Sequence, residues 1–140
     1  MDVIMGYVDH GELGRTPEAA SHALVFLLQG IYSKWKMPVA YFYTGQGTYH
    51  TILEPLTNSV LNGVLLAGAN VRAIVCDGAS LNKSMFARMG ATVDKPFFMR
   101  NGKRIYTITD PPHLLKAVRN SLLTHSLHYF QWREGRLGPF

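Results

Sequence analysis

A chain of 140 residues fits a single domain, and 47% hydrophobic residues against 16% charged residues exclude an intrinsically disordered polypeptide. The formal net charge of +5 is not concentrated in one block, so it permits binding to phosphate without demonstrating it. Cys76 is the only cysteine, which excludes an intramolecular disulfide or a cysteine-rich zinc site and is typical of a reducing compartment. No stretch has the pattern of a signal peptide or a membrane span, and an intracellular, soluble protein is expected.

The first third of the chain predicts strands. Residues 3–8 are a short apolar run that ends at a turn signal, Asp9-His10-Gly11, and they predict a buried strand. Residues 12–18 contain glycine and proline and predict an exposed loop. Residues 22–45 hold two apolar runs separated by the basic sequence SKWK, which predicts a hairpin of two strands. A helix is the alternative for the first run, because alanine and leucine are good helix formers.

The remainder predicts helices alternating with strands. Apolar residues recur at helical spacing after Thr48, a candidate helix cap, and stop before Gly68. Residues 71–77 predict a buried strand, 80–90 a helix ended by Gly90, 100–109 a turn and a strand, and 110–123 a helix that starts at Asp110 before two prolines. The order is strand, strand, strand, helix, strand, helix, strand, helix. The fold class predicted is therefore α/β, with a mixed sheet flanked by helices.

Two aspartates follow predicted strands. Asp9 and Asp77 each stand at the carboxyl end of a strand and are followed within two residues by glycine. Ligands of open α/β sheets bind at that edge, so the two carboxylates would face one crevice if their strands were neighbours. Such oxygen ligands suit Mg²⁺ or Mn²⁺, and a metal pair could activate water in phosphodiester cleavage. The alternative is ordinary turn chemistry, with Asp77 capping the helix that begins near Ser80.

Other polar residues have weaker patterns. Asp110 is explained by its place before Pro-Pro at a helix start. His10 and His113 have no second histidine at metal-ligand spacing. Ser80 and Ser84 have no base in a recognisable motif, and the glycines of GQGTYH do not form a phosphate loop. Basic residues that could contact nucleic acid lie at two predicted hairpin tips: Lys34 and Lys36 beside Trp35, and Arg104 with Arg100 and Lys103.

Four phrases together resemble the P element transposase and its THAP-domain relatives: GYVDHG, ALVFLLQGIYSKWKMPVAYFYTG, VRAIVCDGASLNKSMFARMGA and RIYTITDPPHLLKAVRNSLL. They run in order from Gly6 to Leu123. The resemblance implies the N-terminal half of an interrupted ribonuclease H-like catalytic domain, over residues 1–110. It implies that residues 111–140 are a helix and tail, with the tail beginning a GTP-binding insertion domain.

The resemblance also implies an acidic triad of two aspartates and a distant glutamate that binds Mg²⁺ or Mn²⁺ for DNA cleavage and joining. Its second aspartate falls on Asp77 through CDGAS, and its first on Asp9 through GYVDHG, where this chain has His10 instead of the usual apolar residue. Glu134 is a poor candidate for the glutamate, so the chain is expected to be incompetent alone. The THAP zinc domain is not expected in this chain. GTP binding is expected only in a longer chain.

The partners implied by the resemblance are transposon-end DNA, the rest of a transposase chain and, as an open alternative, further copies in a homo-oligomer. The location implied is nuclear, with no membrane association. A different hypothesis is a domesticated module that binds DNA or protein without catalysis, whose DNA affinity would depend on Lys34, Lys36 and Arg104. A third is an unrelated α/β regulatory domain, which would require Asp9 and Asp77 to lie far apart.

Overall fold

The computed structural model describes residues 6–45, 49–125, 130–133 and 136–139. For residues 49–50, 130–133 and 136–139 it describes the backbone alone. Thr48, predicted to cap a helix, and Glu134, predicted to be a poor candidate for the glutamate, lie outside the described residues. Residues 3–5 of the first predicted strand lie outside them as well.

The N-terminal part folds into a four-stranded antiparallel sheet. Its strands are β1 (Tyr7–Asp9), β2 (Arg15–Ala19), β3 (His22–Gln29) and β4 (Lys36–Thr44), with a short 3-10 helix at Gly11–Leu13. The spatial order is β2-β1-β4-β3, so β1 has a neighbour on each side. The predicted hairpin is confirmed, since β3 and β4 pair along their length with one irregularity between Phe26 and Leu27.

The loop prediction for residues 12–18 is wrong, because residues 15–19 form β2. This strand is polar and mostly exposed and contains Pro17, so no apolar alternation marks it. Proline is tolerated in an edge strand, whose free side does not require a backbone donor. The pairing of β2 with β1 supplies order that local sequence does not indicate.

The second part alternates helices with strands. It contains α1 (Tyr49–Leu66), β5 (Ala73–Cys76), α2 (Ser80–Arg88), β6 (Phe97–Arg100) and β7 (Lys103–Thr109). A three-stranded sheet has the order β5-β7-β6, in which β5 and β7 are parallel and β6 and β7 antiparallel. The mixed α/β class is thus confirmed. The predicted helices and strands of this part are confirmed as well.

Two last elements follow β7. Helix α3 (Pro111–Thr124) starts after Asp110 with two prolines in its first turn, as predicted. The short strands β8 (Phe130–Arg133) and β9 (Arg136–Pro139) then pair with each other as an antiparallel hairpin. None of the helices described is long and apolar enough to cross a membrane.

The core that supports the second sheet is formed by α1 and two strands. Leu61 of α1 packs with Phe98 of β6 and Ile105 of β7, and each of these side chains is almost fully buried. Helix α1 also packs against β4 and α2. The Thr57 hydroxyl lies at the contact with α2, where it donates to the Leu53 carbonyl over 2.7 Å and to Met85 Sδ over 3.1 Å. Helix α1 therefore contacts both sheets and packs against α2.

Candidate functional site

Asp77 directly follows β5 and controls the turn into α2. Its Oδ1 accepts hydrogen bonds from the Ala79 backbone N–H at 3.0 Å and from Asn82 Nδ2 at 2.7 Å. Among the described residues, no donor contacts its Oδ2, and the residue is exposed. The turn chemistry considered from the sequence is therefore present, but Asp77 does not cap α2, whose N-cap residue is Ala79. The turn occupies one oxygen of the carboxylate and leaves the other open to a ligand.

Asp110 carries a second carboxylate at the same edge of the three-stranded sheet as Asp77, and we call this place the Asp77 edge. Strands β5 and β7 are parallel with Cys76 opposite Thr109, and the Asp110 backbone N–H donates to the Cys76 carbonyl over 2.7 Å. Asp77 and Asp110 thus follow the carboxyl ends of two adjacent parallel strands, where ligands of α/β sheets bind. The Asp110 Oδ2 accepts from His113 Nδ1, one turn into α3, at 2.5 Å.

Asp9 lies elsewhere. Its Oδ1 accepts from the Gly11 backbone N–H at 2.9 Å, and its Oδ2 pairs with Arg15 Nε at 2.8 Å. The condition for one shared crevice, that the strand of Asp9 neighbours that of Asp77, is not met among the described strands. Both edges of β1 are already paired, with β2 and β4, so β1 has no edge left to pair with β5. The role of Asp9 as a metal ligand stays a prediction.

No group of three or more His, Cys, Asp or Glu side chains in the described parts of the chain is arranged to hold a metal ion. His10 is 2% exposed at the end of β1, as expected for a structural histidine. Burial, and secondarily the charge of Asp77, raises the pKa of the Cys76 thiol to about 11. The thiol is therefore neutral at physiological pH and is not a ready metal ligand or nucleophile.

The predicted nucleic-acid residues fall in two different sheets. Lys34 and Lys36 lie at the β3–β4 turn and are exposed. Arg104 is on β7, where its guanidinium stacks over the Phe97 ring with its carbon 4.8 Å from the centroid. The first pair is therefore free for an anionic partner, whereas Arg104 already contacts an aromatic ring.

Sequence reasoning missed the contributions of Asn82 and Asp110 to the Asp77 edge. The available signal was topological, because a strand, a helix and a later strand predict a parallel pair whose carboxyl ends coincide. It would have placed Asp110 beside Asp77 without any metal-binding motif. Nothing in local sequence marked the Asn82 side chain as the donor to Asp77.

The fold and this edge together describe a mixed α/β domain with two carboxylates at the ends of adjacent parallel strands. Its structure is similar to that of the Drosophila P element transposase in its strand transfer complex, with a TM-score of 0.68 and 23% sequence identity, over 98% of this chain and 30% of that chain. The fold is thereby established, and the ribonuclease H-like prediction is confirmed.

Sequence comparison then gives the family. Residues 1–90 match the family TNP-like, RNase H N-terminal domain, and the chain belongs to that family. It is also 27% identical over 114 residues to the transposable element P transposase of Drosophila melanogaster. The match covers 79% of this chain and spans 14% of that relative. The predicted relationship is confirmed, and an unrelated regulatory domain is excluded.

Proposed function

We propose that this chain is part of the catalytic domain of a P element-type DNA transposase, which cuts and joins DNA strands with a divalent metal. The observation that carries the proposal is the Asp77 carboxylate, which follows a rigid strand and keeps one oxygen open. The family to which residues 1–90 belong supports the choice of chemistry.

The described residues supply one ligand of a metal site. Asp77 offers an exposed hard oxygen of the kind Mg²⁺ and Mn²⁺ prefer, and Asn82 holds that carboxylate in place. When bound, the cation would activate water and stabilise the leaving oxygen. Asp9 does not fit in the described arrangement, because both of its oxygens are engaged within its own hairpin.

Asp110 and His113 are proposed as positioning residues at this edge. Asp110 follows the strand adjacent to that of Asp77, and its hydrogen bond to His113 fixes the carboxylate against the first turn of α3. A second carboxylate beside Asp77 makes the potential at this edge more negative. The edge therefore attracts a cation and repels DNA phosphates that carry no cation. The DNA would therefore approach this edge together with its metal.

The proposed partners are transposon-end DNA and the rest of a transposase chain. Further copies of the chain, in a homo-oligomer, are a third proposed partner. The similar solved structure is itself a strand transfer complex. A nuclear location follows from the proposed substrate. GTP binding is proposed only for a longer chain. Residues 111–140 would be a helix and a tail, and the tail would begin the GTP-binding insertion domain.

Taken by themselves, the 140 residues are expected to bind Mn²⁺ weakly and not to cut DNA. Calorimetric titration with Mn²⁺ should give weak binding that Asp77→Asn abolishes and that Glu12→Gln, a change at an exposed acid outside the edge, leaves intact. Plasmid incubated with the chain and Mn²⁺ should remain uncut. Robust nicking that Asp77→Ala abolishes would disprove the expected incompetence, whereas Mn²⁺ binding unchanged by Asp77→Asn would disprove the metal role.

The second candidate is a DNA- or protein-binding module without catalysis. It is favoured by the absence of a three-ligand group among the described residues and by the free lysines of the β3–β4 turn. This candidate predicts a metal-independent DNA affinity that falls with salt and with neutralisation of Lys34, Lys36 and Arg104. DNA affinity that requires Mn²⁺ and Asp77 would favour the transposase instead.

A further inference from the structure

The turn that joins β3 to β4 exposes large apolar side chains. We define residues 30–36 as the hairpin tip. Within it, Ile31 is 70% exposed and Tyr32 is fully exposed. The tip is nonetheless an ordered turn, because the Gly30 N–H donates to the Trp35 carbonyl at 3.1 Å and the Trp35 N–H donates to the Ser33 carbonyl at 2.9 Å. Its apolar side chains are therefore presented to solvent by a closed turn.

Trp35 supports the tip from within. A Cβ at position 30 would lie 2.5 Å from Trp35 Nε1, so glycine is needed there for the indole to pack across the backbone. Tyr32 takes no part in this packing, and its ring stacks on no aromatic ring of the described residues. Both faces of the Tyr32 ring are therefore open to a partner.

The charge around the tip has one sign. No aspartate or glutamate occurs from residue 19 to residue 53, a stretch that contains Lys34 and Lys36. Both lysines are exposed, and neither forms an ion pair with a described residue. Tyr32 is an open aromatic ring two residues before the free cation Lys34 and four before Lys36. Such a surface matches a polyanion that also presents flat rings, which is the chemistry of nucleic acid.

We propose that the hairpin tip binds unpaired DNA, with the Tyr32 ring stacked on a base and Lys34 and Lys36 on flanking phosphates. The choice of DNA rests on the proposed function. Unpaired rather than duplex DNA is inferred because a ring at an exposed turn stacks on a free base without opening a base-pair step, whereas insertion into a duplex must unstack one. The contact is sequence-tolerant, since every base has a π-face.

Fluorescence anisotropy of the 140-residue chain with a labelled single-stranded thymidine oligonucleotide, and with a duplex of equal length, tests the proposal. The single strand should bind more tightly. Tyr32→Ala should weaken its binding about tenfold, the loss expected for one stacked base, while Tyr32→Phe retains the ring and the affinity. Tyr7→Ala is the matched control, because Tyr7 is 69% exposed on β1 of the same sheet.

A salt titration separates the lysines from the ring. Replacement of Lys34 and Lys36 by glutamine should reduce the slope of log affinity against log salt by roughly 1.4, the value for two phosphate contacts to a single strand. Tyr32→Ala should lower the affinity at every salt concentration and leave the slope unchanged. A Tyr32→Ala variant that changed the slope as the lysine variant does would overturn the stacking role.

Further results would overturn the proposal. They are equal binding by Tyr32→Ala and the parent chain, preference for the duplex, no binding to either oligonucleotide, or a self-association abolished by Tyr32→Ala, which would assign the tip to a second copy of the chain. The proposed function is judged separately by Mn²⁺ binding at Asp77, so metal binding without DNA affinity would remove this inference alone. DNA affinity without metal binding would remove the catalytic proposal alone.

Discussion

Asp9 is the last residue of β1, and Asp77 directly follows β5. In each case one carboxylate oxygen accepts the backbone N–H two residues further on, at 2.9 Å and 3.0 Å respectively. The two regions differ in what surrounds the second oxygen. Arg15 of the neighbouring strand pairs with that of Asp9, whereas no described residue contacts that of Asp77. Similar local signals thus produce similar turns, while strand pairing brings Arg15 to the second oxygen of Asp9 and no described residue to that of Asp77.

The largest effect is expected in the core beneath the Asp77 edge. Ile105 of β7 is 1% exposed, and Ile105→Ala should cost about 3 kcal/mol of unfolding free energy, because it removes buried methylene groups and leaves a cavity. Ile108→Ala on the same strand is the control, since Ile108 is 42% exposed and should cost less than half as much. Urea denaturation followed by circular dichroism gives both values, and equal costs would contradict the assigned core.

The next effect uses Cys76 as a reporter beside Asp77. Because burial and then the charge of Asp77 raise the thiol pKa from 9.0 to about 11, alkylation by iodoacetamide at pH 8 should be ~100-fold slower in the folded chain than in urea. Asp77→Asn removes the smaller cause and should raise the folded-state rate by less than the full factor. Asp9→Asn should leave it unchanged, and a thiol that reacts equally fast folded and unfolded would contradict the burial of Cys76.

The same pKa shift has a consequence for stability. Below pH 9 the thiol is neutral in both states, so its contribution to the unfolding free energy is fully present. As the pH rises from 9 towards 11, the unfolded chain releases the proton first and the contribution is lost. Cys76→Ser should flatten this part of the stability curve.

The smallest effect distinguishes the glycines of the two turns. Gly11 has φ of +61°, and its Cβ would lie 3.3 Å from Phe42 Cε1, so Gly11→Ala should cost about 1 kcal/mol or slightly more. Gly78 is not among the positive-φ glycines, and its Cβ would meet Thr109 Cγ2 at an ordinary 3.6 Å. Gly78→Ala should therefore change the unfolding free energy by less than about 0.5 kcal/mol. A larger cost for Gly78→Ala than for Gly11→Ala would reverse the comparison.

Strong local patterns predicted much of the fold. The helical spacing before Gly68, the two prolines after Asp110 and the hairpin of two apolar runs each appear where expected. Strand β6 is absent from the predicted element order, although the turn that follows it lies at a predicted hairpin tip. Its signal was the Asn101-Gly102 turn, where both residues have positive φ, as a tight hairpin requires.

The candidate site was less predictable than the fold. Asp77 and its turn could be read from a strand followed by Asp-Gly, but the Arg15 ion pair of Asp9 depends on an edge strand that carries no apolar pattern. Asp77 and Asp110 are adjacent because β5 and β7 pair in parallel, and the chain between these two strands passes through α2 and β6. Such non-local pairings are set by tertiary packing, which a local pattern does not contain.

The most direct test of the account is a Mn²⁺ titration of the ¹⁵N-labelled chain followed by NMR, in which the paramagnetic ion broadens nearby amide signals. If Asp77 is the metal ligand, the signals of Gly78, Ala79 and Asp110 should broaden at lower Mn²⁺ concentration than that of Gly11. Asp77→Asn should abolish this broadening, and Asp9→Asn should leave it intact. Broadening centred on Gly11, or broadening at the Asp77 edge that survives Asp77→Asn, would contradict the claim that the metal ligand is Asp77.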